Sequence, residues 1–117
     1  RLQRQVLQPL RDGNKMIEYD TYDWPTDKLK ERRKVPISKY VIIEGVGLIR
    51  DEFGTFFDYK VWVDVSLEIA VERGKKRDKE MGADHDALWN NIWLPNDRDY
   101  FAKHDPISNA DYLLANE

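Results

Sequence analysis

The sequence predicts an α/β protein built on a parallel sheet with flanking helices. Two features carry that prediction. Tyr40-Val41-Ile42-Ile43 is an unbroken apolar run closed by Glu44-Gly45-Val46-Gly47, the pattern of a strand buried on both faces. Tyr59–Val65 and Ala110–Leu114 read as two further strands, and the stretch between them has helical periodicity. Strands joined through helices pair in parallel. The chain has 117 residues, room for one domain, and is 41% hydrophobic, enough for a core.

In chain order, Leu2, Val6 and Leu10 stand at i, i+4 and i+8, and Gly13 follows where a helix would stop. Met16–Trp24 mixes aromatic and acidic residues and is expected to be extended or irregular. Pro25 to Pro36 is almost wholly charged and is expected to be an exposed loop or a short surface helix. After the first two strands, Ser66 is a suitable N-cap for a helix running to about Glu80, ahead of Gly82. Another helix is expected from about Asp84 past Trp89, Ile92 and Trp93. Pro95 should kink or end it, with Asp97 to Lys103 adding a turn or two. A doubly wound sheet usually begins strand, phosphate loop, helix, whereas this chain opens in a helix. The expectation is therefore a domain whose N-terminal part is missing.

Composition narrows the chemistry. With no cysteine, disulfides, thiolate metal sites and thiol catalysis are excluded, and with two histidines a histidine-rich metal site is disfavoured. The 22 acidic and 19 basic residues nearly cancel to −3, so nothing draws the chain to nucleic acid or an anionic membrane. No apolar stretch is long enough to span a bilayer, and Arg1-Leu2-Gln3-Arg4 is no signal peptide. A cytoplasmic protein acting on a small molecule is expected, with self-association left open.

Three sets of residues could carry chemistry. Glu44 ends the most apolar strand, where ligands of open parallel sheets gather, and a carboxylate there can hold Mg²⁺ beside a nucleotide. The competing reading is a strand-end acid bonded to the next loop. Arg73 and Arg77 lie four apart on the predicted helix, with Lys76 beside them, and two guanidiniums on one face suit a transferring phosphoryl group. The competing reading is a solvated face in which Asp78 or Glu80 pairs with them. Tyr19, Tyr22 and Trp24 interleave with Asp20 and Asp23, a composition that can stack a base and bind ribose hydroxyls or form a small satellite core. Trp62, Trp89 and Trp93 read as core, and His85 and His104 as surface residues. No Gly-x-x-x-x-Gly-Lys-Ser/Thr occurs, and Gly45-Val46-Gly47 is no substitute for it.

Taken in order, Tyr22-Asp23-Trp24, Val41-Ile42-Ile43-Glu44-Gly45-Val46, Phe57 to Asp64, Arg73-x-x-x-Arg77-Asp78 and Ala110 to Leu114 resemble the uridine kinase and phosphoribulokinase family of P-loop kinases. The resemblance implies a nucleoside-monophosphate-kinase-like P-loop NTPase fold, of which residues 1–117 would be the C-terminal two thirds, with a lid at about 73–95. It implies transfer of the γ-phosphoryl of ATP, with Mg²⁺, to a hydroxyl of a nucleoside of uridine or cytidine type. On this view Glu44 is the acid near Mg²⁺, Arg73 and Arg77 are lid arginines with a catalytic part, and Tyr22, Asp23 and Trp24 bind substrate. The family's P-loop and general-base aspartate would precede Arg1, so these residues alone are expected to be inactive. The family's histidine three residues past the aromatic is here Asp27, a carboxylate that only accepts, which argues against uridine itself. Two other functions stay open: a P-loop kinase for another small alcohol, or a non-catalytic α/β module that meets a protein partner.

Overall fold

The computed structural model describes residues 1–116. The chain forms two compact units, Arg1–Gly45 and a second from Val46 onward. Its described residues are mixed α/β with two sheets of two strands, one antiparallel and one parallel, too few strands to indicate a P-loop NTPase fold. No described helix is long and apolar enough to cross a membrane.

The first unit opens with the expected helix, α1 (3–11), which starts as a wide π turn at Gln3–Leu7 and tightens to α geometry over Gln8–Arg11. Gly13, at φ +75°, ends it in a conformation that glycine adopts without penalty. Strands β1 (Met16–Asp23) and β2 (Lys28–Pro36) follow as an antiparallel hairpin. β2 corrects the expectation of a loop or short helix over 25–36. The charges are what pair it: Lys34 with Glu18 at 2.9 Å, Arg32 with Asp20 at 2.9 Å and Lys30 with Asp23 at 2.8 Å. Alternate cations of β2 thus meet acids of β1 across the ladder. α1 lies against β1, where Leu7 and Ile17 are buried. Gln5 clasps Asp20 both ways: its Nε2 donates to the carboxylate at 2.7 Å, and its Oε1 accepts the Asp20 N–H at 3.2 Å.

Tyr40–Ile43 forms no strand, which corrects the strongest strand expectation. A doubly buried strand needs neighbours on both edges, and no described strand pairs with this run. Ile42 is accordingly 94% exposed.

In the second unit, β3 (Val61–Asp64) and β4 (Tyr112–Ala115) pair in parallel, with Val61 opposite Tyr112 and Val63 opposite Leu114. α2 (Leu67–Glu80) begins as expected at Ser66, whose hydroxyl accepts the Ile69 N–H at 3.3 Å. α3 (86–104) comprises Asp86–Leu88, a wide π turn at Trp89–Trp93 and Leu94–His104. Of the two outcomes expected at Pro95, an end and a kink, the helix does not end there but continues through an irregular turn. Proline removes an N–H and clashes with the carbonyl four residues back, here Asn91. Widening the turn around Asn91, with the Leu94 N–H bonded to the Trp89 carbonyl, lets the helix continue. α1 uses the same device two residues before Pro9. Asp105, left-handed at φ +39°, then stops α3 ahead of Pro106. Trp62 of β3 meets Phe101 of α3 edge to face at 5.2 Å.

Gly74 of α2 packs against the Trp89 indole, where a Cβ would stand 2.2 Å from Cζ2. In an open helix Gly→Ala gains up to about 1 kcal/mol from propensity. At Gly74 the rigid ring must move, at an overpacking cost of roughly 1–3 kcal/mol. Gly74→Ala should therefore lower stability by about 1 kcal/mol or more, read as a reduced midpoint in urea. A raised midpoint would show that Trp89 can yield.

Candidate functional site

Tyr22 and Asp23 end β1, and Trp24 opens the turn to β2. Pro25 presets the turn's φ, the Asp27 N–H reaches the Trp24 carbonyl at 3.3 Å, and Asp27 takes φ +51°. That geometry packs the Tyr22 and Trp24 rings edge to face at 5.1 Å and leaves Trp24 80% exposed. The Tyr22 hydroxyl donates to the Asp27 carboxylate, and this bond raises the Tyr22 pKa above its ordinary value. Lys30, then Thr26, hold Asp23 below the usual carboxylate range. Asp27 has no ion pair among the described residues. The turn therefore offers a bare indole face beside one neutralised and one unneutralised carboxylate, able to stack a flat ring and accept hydrogen bonds from hydroxyls or amines. Tyr19 and Asp20, grouped with these residues in the sequence, are drawn into the hairpin ladder instead: Tyr19 stands opposite Arg33, and Asp20 is taken by Arg32 and Gln5.

Glu44 lies in the irregular segment after β2, exposed and with no hydrogen bond or ion pair to a described residue. No group of three His, Asp or Glu side chains suited to a metal occurs among the described residues, so Glu44 offers one oxygen ligand by itself. Arg73 and Arg77 are exposed on α2. Arg73 donates to the Asn116 carbonyl at 2.6 Å, and Arg77 donates to Asp78 Oδ1 from two nitrogens, at 2.9 and 3.2 Å. A guanidinium has five N–H donors, so both keep donors for a ligand.

Asp78 stands out in the structure. The sequence offers it as a partner for the arginines, and it is also buried, 7% exposed, and gathers three side chains. Trp89 Nε1 donates to Oδ2 at 2.8 Å, His85 Nδ1 stands 3.2 Å from the same oxygen, and Arg77 takes Oδ1. The Trp89 bond first, then Arg77, hold the Asp78 pKa below the usual range against its desolvation. His85, expected to be a free surface residue, is instead tied to this carboxylate and packs its ring edge-on to Trp93 at 5.8 Å. The signal was present: Val71, Gly74 and Asp78 stand at i, i+3 and i+7, one buried stripe of α2. An acid on such a stripe demands donors, and the tryptophan expected to be core supplies one.

No protein-family model matches the chain, and no curated protein matches it.

A carboxylate whose pKa falls on folding contributes stability in full above its unfolded value, about 3.9 for Asp, and loses it as pH drops through the lower folded value. Asp78→Asn cannot titrate. The stability gap between the wild-type chain and Asp78→Asn should thus be widest near pH 6 and shrink below about pH 4. Urea midpoints of both chains from pH 6 to pH 2 check this, and a gap constant across that range would contradict it.

Proposed function

We propose that the chain is part of a P-loop kinase similar to the uridine kinase and phosphoribulokinase family, transferring the γ-phosphoryl of ATP to a hydroxyl of a nucleoside. The observation that carries this reading is the β1–β2 turn, where an exposed indole stands beside carboxylates. A base stacks on Trp24, and Asp23 and Asp27 accept hydrogen bonds from the substrate. α2 presents Arg73 and Arg77, whose positive charge stabilises the phosphoryl group as it leaves ATP. Asp78 positions the helix they stand on by fastening it to α3. Glu44 fits the part of a single carboxylate toward Mg²⁺, an ion that takes one or two protein carboxylates and completes its shell with phosphate oxygens and water. When bound, that ion neutralises phosphate charge.

A second feature supports the same reading. Parallel strands are ordinarily covered on both faces. Here Val61, Val63, Tyr112, Leu113 and Leu114 are each about half exposed, and the apolar run at 40–43 is unpaired. Each is accounted for if further strands of the kinase pair with it.

Asp27 favours one variation, the same chemistry on another small alcohol. Its carboxylate accepts from Tyr22 and can only accept from a ligand, so the acceptor it suits presents hydrogen-bond donors or positive charge rather than the carbonyl edge of uracil.

In the kinase that carries this segment, Arg77→Ala should lower kcat by about 10²-fold, the scale for a lost electrostatic stabiliser, with Arg77→Lys recovering only part. Trp24→Ala should instead raise KM for the nucleoside by about tenfold, as expected for a lost stacking surface. Steady-state kinetics beside melting curves separate these effects from unfolding. An unchanged kcat in Arg77→Ala, with an unchanged KM in Trp24→Ala, would overturn the assignment.

A further inference from the structure

His104 ends α3 with its side chain buried, 6% exposed, and its Nδ1 has no hydrogen-bond partner among the described residues. The nearest acid oxygen, Asp51 Oδ2, is 3.8 Å away, beyond hydrogen-bond reach. A buried ring nitrogen left in that condition has lost its water without replacement and calls for an explanation. His104 lines a cavity of about 50 Å³. That is well above the roughly 10–15 Å³ of such space that one water needs.

The groups around this cavity select the guest. Arg50 enters from the loop before the short helical turn at Asp51–Phe53, Lys60 from the residue before β3, and Asn109 from the loop before β4. Arg50 uses Nε on the Gly47 carbonyl at 2.5 Å, which leaves its terminal nitrogens, and the Lys60 ammonium has no described partner. The lining holds one acid, Asp51, whose side chain is 78% exposed and screened by water, and the exposed Glu52 beside it also feels His104 and Arg50. A metal ion would meet two positive charges in the lining and a single lining carboxylate. An anion meets two cations and an imidazole able to donate.

We propose that this cavity is a binding site for a phosphate-sized oxyanion, held by His104 Nδ1–H, Arg50 and Lys60. It shares no residue with the nucleoside turn or with the α2 arginines, so it stands independently of the kinase reading. Three donors arriving from three separate segments surround a tetrahedral anion better than a planar one, and two fixed charges match a dianion.

The test is a titration of the full chain with inorganic phosphate, following the His104 ring nitrogens by NMR, with acetate and phenyl phosphate as the other arms. The site predicts a saturable shift at millimolar phosphate, little response to acetate, and about tenfold weaker phosphate binding in Lys60→Gln, which leaves the fold intact. A response to inorganic phosphate alone marks an enclosed site for the free ion. An equal response to phenyl phosphate marks a site for the phosphate group of a larger ligand. A His104 signal unmoved by phosphate, or moved equally in Lys60→Gln or by acetate, would overturn the proposal. So would a signal that shifts in Asp51→Asn but not with phosphate, because Nδ1 would then belong to Asp51.

Discussion

The Asp78 carboxylate is the constraint on which the second unit turns. α2 carries few apolar residues inward, with Val71 buried and Gly74 giving up its side chain to admit the Trp89 ring. What secures the helix pair is therefore polar: one buried acid of α2 on which Trp89 and His85 converge from the facing segment, while Arg77 of α2 itself takes the other oxygen. A buried carboxylate is costly when unpaired and stabilises when each oxygen has donors. Asp78 has donors on both. Gly74 and Asp78 work together, since the indole can reach the acid only because no side chain stands in its way. The helix face that presents Arg73 and Arg77 is fixed as a by-product, and Arg77 is itself one of the donors.

The first unit uses charge differently. Its hairpin is laced by exposed ion pairs, each worth little alone in water. The two directly opposed pairs, Glu18 with Lys34 and Asp20 with Arg32, favour the register, since a slip by one residue would separate both. The irregularity between Asp20 and Tyr22 then brings the end of β1 into the turn that displays Trp24. A hairpin whose second strand is mostly charged is thus what carries the aromatic platform.

Local signals were the legible part of the sequence. The Ser66 cap, the helix it starts, the stop at Gly13 and the strands at 61–64 and 112–115 follow from side chains acting on their own backbone. The hairpin was hidden because the charges of β2 make sense only opposite the acids of β1, a pairing that composition does not display. Pro95 was legible only in part, because the cost of an internal proline assumes a regular α turn upstream, and the wide turn at Trp89–Trp93 removes that cost. Tyr40–Ile43 misled for another reason: apolarity encodes a demand for burial, and no described strand meets it. Within the candidate site, Tyr22, Asp23 and Trp24 were readable as a cluster. The burial of Asp78 was readable only by placing an acid on the stripe of Val71 and Gly74.

The central claim is that Asp78 is a buried acceptor of the Trp89 indole N–H, and hydrogen exchange of the indole protons tests it most directly. Trp89 Nε1–H should be protected and exchange far more slowly than that of Trp24, which stands in solvent. Trp89 exchanging as fast as Trp24 would mean that the bond is not kept in solution, and that the helix face carrying Arg73 and Arg77 is not held as described.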